Sequence, residues 1–229
     1  RWQRRRSGMY ASNGAALGVI RRSSAAAAPH EEPDLFCMAL LARFEGYFSG
    51  FSNWILDQPD QLTWAVPKAH TRNRAGTVRL RSADPRDMPL VNFHYFEEGS
   101  DAAGEDLKAV VEAIRFVRRM TAPLLASGWI AEEIAPGPSI DSDEALAGYV
   151  RDTAWGHHAS CSCAIGAPDQ GGVLDSAFAV HGVKRLRVVD ASVFPQIPGF
   201  FVAAAIYMIA EKAADALLDE ARRTPLSAS

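Results

Sequence analysis

A chain of 229 residues that is 48% hydrophobic and 22% charged can bury a sizeable core, and its composition is that of a globular protein rather than a disordered one. Its formal charge of −3 and pI near 6.1 supply no overall positive field, so neither nucleic acid nor an anionic membrane surface is an expected partner. The three cysteines, Cys37, Cys161 and Cys163, are too few for a disulfide framework, and the CxC spacing of the last two suits no bond between them, so a reducing, cytoplasmic setting is expected.

Residues 1–33 are rich in Ala, Ser and Arg, show neither strand alternation nor an amphipathic stripe, and are read as an irregular or linker segment. The opening RWQRRRSGMYASNG has no apolar stretch after its basic residues, so no signal peptide is expected and an internal starting point fits better. Two short apolar runs, 35–41 and 62–66, have the length and flanks of buried strands. Residues 76–82 alternate Val78 and Leu80 with Arg79 and Arg81, the pattern of a half-buried strand. Prolines and aspartates at 83–89 then mark a turn, and 90–96 resume an extended path.

Between residues 105 and 120 the apolar positions Leu107, Val110, Val111, Ile114 and Val117 recur at helical spacing. Acids open this segment and Arg115, Arg118 and Arg119 close it, as the helix dipole favours. A second helix is expected from Asp141 or Ser142, where Asp141 and Glu144 have capping-box spacing, to about Thr153. Residues 186–189 form a short apolar strand ending in Asp190, and Ile206, Ile209, Ala210, Ala213 and Leu217 make the stripe of a final helix. The longest apolar run, 200–210, falls short of the roughly 20 residues a membrane span requires.

Chemistry concentrates in WGHHASCSCAIG, residues 155–166, which holds two of the six histidines and two of the three cysteines. His157, His158, Cys161 and Cys163 are all zinc-competent, and a neutral imidazole is also a good proton acceptor near pH 7. Spacing weakens the metal reading, because adjacent histidines point in different directions and CxC is shorter than the usual gaps of structural zinc sites. As isolated residues, the histidines would be satisfied loop groups and the cysteines small buried hydrophobes.

A second block stands about thirty residues on: HGVKRLRVVDASVFP at 181–195, then an Ala-rich helix containing IAEKAAD at 209–215. Upstream lies GTVRLRSADPRDMP at 76–89. In this order and spacing the segments resemble the C-terminal part of the glucose-methanol-choline oxidoreductases, over roughly residues 34–220. The resemblance implies an FAD flavoprotein that oxidises the CH–OH group of a small-molecule alcohol. It also implies a substrate-binding domain at 34–155, a catalytic and flavin-facing segment at 156–220 and a tail at 221–229. The expected fold class is α+β: an antiparallel sheet from strands between 35 and 96, with a further strand near Ile130, packed against the two helices. The C-terminal strand and helix would complete an FAD-binding domain. That family's glycine-rich GxGxxG turn is found nowhere in this sequence, so the chain reads as a fragment whose partner is an N-terminal FAD-binding half.

By position, the resemblance assigns His158 as the catalytic base, and His157 lies beside it. Asp190, Ala191, Phe201, Val202 and Ala203 fall in the flavin-facing segment, with the Val202 and Ala203 N–H groups available to the reduced ring. Several positions depart from the family pattern. Phe201 stands where His or Asn is usual, leaving His157 or Gln196 as candidates for a second polar partner. Cys161 replaces a glycine, Ala164 an arginine, Ile165 a methionine, and Ala203 and Ala205 an asparagine and a proline. Two other readings remain open: a metal-binding or thiol module built on HHxxCxC, and a non-catalytic small-molecule-binding domain. A hydrolase is disfavoured by the lack of a GxSxG elbow.

Overall fold

The computed structural model describes residues 2–7, 14–26, 28, 31–57 and 60–223. The chain divides into two compact units, Arg1–Trp155 and Gly156–Ser229.

In the first unit a four-residue helix, α1 (Trp2–Arg5), precedes a three-stranded antiparallel sheet in the order β1 (Ala15–Arg21), β2 (Leu35–Leu40), β3 (Thr63–Ala65), with α2 (Phe51–Asp57) between the last two strands in sequence. The central strand turns Leu35, Cys37 and Ala39 to one buried face, as the two-residue period of a strand dictates. Leu35 and Cys37 meet Ala109, Ala113 and Val117 of α3 (Glu105–Ala126). The alanines let the helix backbone approach the strand closely, and each leucine-sized side chain buried there contributes about 1.5–3 kcal/mol.

The reading of residues 1–33 as irregular or linker is corrected where the chain is described: Ala15–Arg21 is a strand paired along its length with β2. Its pattern is obscured because Leu17 and Ile20 face solvent, while Gly18 leaves room for the Phe36 ring, which a Cβ there would meet at 2.7 Å.

A separate two-stranded sheet joins β4 (Thr77–Arg79) to β5 (Leu90–Asn92). Neither strand has a buried residue, and Leu80 is 87% exposed, so residues 76–82 form no half-buried strand. Residues near Ile130 form no strand either. The backbone N–H groups of Trp129 and Ile130 both donate to the Leu124 carbonyl and close the end of α3.

That helix runs past the expected stop near Met120 to Ala126 and contains Pro123. Its arginines are not last-turn cations: Arg115 pairs with Asp141 and Asp143, and Arg118 with Glu133 and Asp141. At its start the Asp101 carboxylate accepts from the N–H groups of Glu105 and Asp106, at 2.9 and 2.8 Å. The next helix, α4 (Asp143–Thr153), is capped by Ser142, whose Oγ accepts from the Ala145 N–H at 3.0 Å, so the cap sits one residue later than the Asp141–Glu144 spacing suggested. Leu146 and Val150 are its buried residues.

A buried ionic centre ties these elements together. Lys68 Nζ lies 3.2 Å from Asp34 Oδ2 and 3.4 Å from Asp106 Oδ1, and all three side chains are less than a tenth exposed. Asp34 also accepts from the N–H and hydroxyl of Ser23, and Asp106 from the N–H groups of Arg72 and Asn73. One cation thus joins the entry to β2, the segment after β3 and the first turn of α3.

In the second unit, short loops are knitted around a core of Leu174, Phe178, Ala191, Val193, Phe194, Ile209 and Ala213. Ile209 and Ala213 come from α5 (Ala203–Arg223), but Leu217, from the expected stripe, is 46% exposed. Residues 186–189 make a single bridge, Ala179 to Arg187, and form no named strand. Gly166 and Gly172 pass so close that a Cβ on Gly172 would lie 2.2 Å from the Gly166 carbonyl carbon, so glycine is required there. Of the expected tail, 221–223 belong to α5, and the remainder lies outside the described residues.

Candidate active site

The histidine–cysteine segment is held by backbone bonds to a short 3-10 helix, Ala191–Val193. The N–H groups of Cys161, Cys163 and Ile165 donate in turn to the carbonyls of Ala191, Ser192 and Val193, at 3.2, 2.9 and 2.9 Å. Ala191 and Val193 are themselves buried in the core, so this ladder anchors the loop after His158 to the core of the unit. Asp190 sets the geometry of the helical turn: its carboxylate accepts from both the N–H and the hydroxyl of Ser192. Cys161 enters the ladder at φ 71°, a left-handed conformation that side chains other than glycine rarely adopt. The resemblance implies a glycine at this position, and the backbone has the conformation a glycine would favour.

Above this ladder three rings meet. The His157 and His158 rings lie 4.3 Å apart at 70°, and the Phe201 ring meets His158 edge-on at 6.0 Å and 67°. His157 is exposed, but partial desolvation first, and the neighbouring His158 second, hold it below the ordinary imidazole pKa, which favours its neutral form at pH 7. His158 is half-buried, whereas Phe201 is 52% exposed. One residue on, the buried Val202 offers its carbonyl to the Ile206 N–H at 2.9 Å and so opens α5 at Ala203. No acid occupies the first turn of that helix. Its leading N–H groups have no partner within the helix, and together with the dipole they suit an electron-rich ligand edge.

His157, His158, Phe201, Val202 and Ala203 are therefore brought into one neighbourhood, and Asp190 and Ala191 support it through backbone and capping bonds. Gln196 is exposed and makes no side-chain hydrogen bond among the described residues. The described residues do not assemble three or more His, Cys, Asp or Glu side chains in one metal-holding group. Two features escaped the sequence reading. The strained backbone at Cys161 had a signal in the glycine it replaces, but the bonding of alternate residues of 161–165 to 191–193 had none, since it joins segments thirty residues apart.

This arrangement defines a class: a carrier of a candidate base histidine, set beside an acid-free helix start, within an α+β chain. Solved structures share the fold. A fungal aryl-alcohol oxidase aligns with a TM-score of 0.60 at 31% identity, over 84% of this chain and 28% of its own. A formate oxidase variant from Aspergillus oryzae RIB40 aligns with a TM-score of 0.74 over 97% of this chain and 41% of its own, and its 24% identity speaks to the fold alone. The oxygen-dependent choline dehydrogenase of Serratia proteamaculans is 39% identical over 155 residues, 67% of this chain and 26% of that protein.

The chain belongs to the GMC oxidoreductase family, whose model matches residues 71–210, and it corresponds to the C-terminal part of that family. It spans about a quarter of the length of the curated relatives it matches. GMC oxidoreductases are FAD flavoproteins, and the acid-free first turn of α5 is compatible with an electron-rich cofactor edge. No helix among the described residues is long and apolar enough to cross a membrane.

Proposed function

We propose that this chain forms the substrate side and catalytic segment of an oxidoreductase acting on the CH–OH group of an alcohol donor, with His158 as the base. The observation that carries the proposal is the anchoring of His158: a half-buried imidazole, backed by the core through the 161–165 ladder and placed beside the acid-free helix start at Ala203. FAD, when bound, supplies the hydride acceptor.

The chain's own residues account for the rest of the chemistry. His158 accepts the hydroxyl proton of the alcohol, which makes the carbinol carbon a far better hydride donor. With FAD bound, the Val202 and Ala203 N–H groups would be the donors to its electron-rich ring edge, and the backbone around 190–193 would support the cofactor chain. Phe201 presents an apolar edge to His158 where a polar group would assist the alkoxide, which favours alcohols with an apolar or bulky carbinol substituent. His157, whose lowered pKa favours the neutral form at pH 7, is a second polar side chain in ring contact with His158.

In the full-length protein, His158→Ala is expected to slow flavin reduction by substrate about 100-fold or more while FAD stays bound. Stopped-flow absorbance measures the step. An unchanged rate with bound flavin would remove His158 from the mechanism and turn attention to His157.

A further inference from the structure

Away from the histidine segment, the first unit carries an open groove of about 670 Å³ between α3 and α4. Its floor is apolar: Leu107 and Val111 are each 7% exposed, and Ala147 lies opposite. Its walls hold four cations, Lys108, Arg115, Arg119 and Arg151, against two carboxylates, Glu112 and Asp143. Both carboxylates are already occupied. Glu112 takes Arg21 and the Ser24 N–H, and Asp143 takes Arg115.

Arg115 is further committed to Asp141, and Lys108 donates to the backbone carbonyl of Ala103 and acts electrostatically on Asp101. Arg119 and Arg151 have no carboxylate or carbonyl partner among the described residues. Helix geometry separates these charges. Arg115 holds Asp143 at the start of α4, so eight residues along α4, about 12 Å at 1.5 Å per residue, lead to Arg151. A comparable run back along α3 leads to Lys108. Arg151 and Lys108 thus mark one end of the groove and Arg119 the other, with the apolar floor between them.

We propose that this groove is a binding site for an extended organic dianion: two acidic groups joined by an apolar spine. A guanidinium is matched to carboxylate geometry, and the unpaired Arg119 and Arg151 favour a ligand with an anionic group toward each of them over a neutral one of the same shape. The site is independent of the histidine chemistry. Nothing in His158, Phe201 or α5 contributes to it.

Isothermal titration of the full chain with sebacate, a saturated α,ω-dicarboxylate, tests the assignment, with decanoate and 1,10-decanediol as probes that keep the spine but remove one or both charges. Saturable sebacate binding, weakened about tenfold for decanoate and by each of Arg119→Gln and Arg151→Gln, is the expected result. Binding of the dianion should also fall as salt rises, and Arg185→Gln, outside the groove, should leave it unchanged. Both groove arginines are exposed and without ion-pair partners, so their replacement should leave the far-UV circular dichroism intact. Equal binding of all three probes, no binding of sebacate, or indifference to both arginine substitutions would overturn the proposal.

Discussion

Replacing Lys68 with Met removes the only cation of the buried ionic centre and leaves its shape nearly filled. The two carboxylates it held, Asp34 and Asp106, are only 2% and 1% exposed, so water cannot replace the ammonium group. Breaking a buried pair from one side costs about 3–5 kcal/mol. Here the lower part of that range applies, because Asp34 keeps two hydrogen bonds from Ser23 and Asp106 keeps those from Arg72 and Asn73.

The pH dependence distinguishes this account from a loss of packing. Burial works to raise the Asp34 pKa, but the Ser23 hydrogen bonds and the Lys68 charge outweigh it and leave the carboxyl below its ordinary value. In the native protein this group therefore stabilises the fold above its unfolded pKa, and that stability is lost as pH falls through the lower folded value. Without Lys68 the balance tips toward burial, so the deficit of the variant should be about 3 kcal/mol at pH 7 and shrink as protonation approaches. Urea unfolding at pH 7 and at pH 4.5, followed by tryptophan fluorescence, measures both. A deficit below about 1 kcal/mol at pH 7, or one that grows on acidification, would refute the reasoning.

At Cys161, where φ is 71°, a side chain costs about 1–2 kcal/mol that glycine avoids, so Cys161→Gly should be more stable than Cys161→Ala by about 1 kcal/mol in thermal unfolding; equal stability would mean that the left-handed turn carries no strain. In the full-length protein, Phe201→Asn should place a hydrogen-bonding group beside His158 and raise the flavin-reduction rate by about tenfold, while a slower rate for every alcohol would argue that the phenyl ring is part of the substrate pocket. Expressed as it stands, the chain is expected neither to hold FAD firmly nor to oxidise alcohols, because no GxGxxG turn is present to approach the pyrophosphate; tight stoichiometric binding in a flavin-fluorescence titration would contradict this.

Much of the chain was legible before any coordinates. The helix at 105 and the final helix announced themselves by apolar spacing, since a side chain that recurs every three or four residues has one face to bury whatever its partner is. The HHxxCxC cluster and the LRVVDAS and IAEKAAD blocks carried the family resemblance in their residue types and order, and the family match at 71–210 bears it out. These are local properties of the chain. What the local pattern could not decide was pairing. The strand Ala15–Arg21 exists because β2 accepts it, with Phe36 lying over Gly18, and no periodicity within residues 1–33 records a partner twenty positions away. Likewise the half-buried reading of residues 76–82 failed because alternation identifies two faces but not whether either is covered. The candidate site divides along the same line. Residue identity singled out His158, whereas its setting, between His157 and Phe201 and above a loop bonded to residues 191–193, arises from hydrogen bonds and ring contacts between segments that only the tertiary fold brings together.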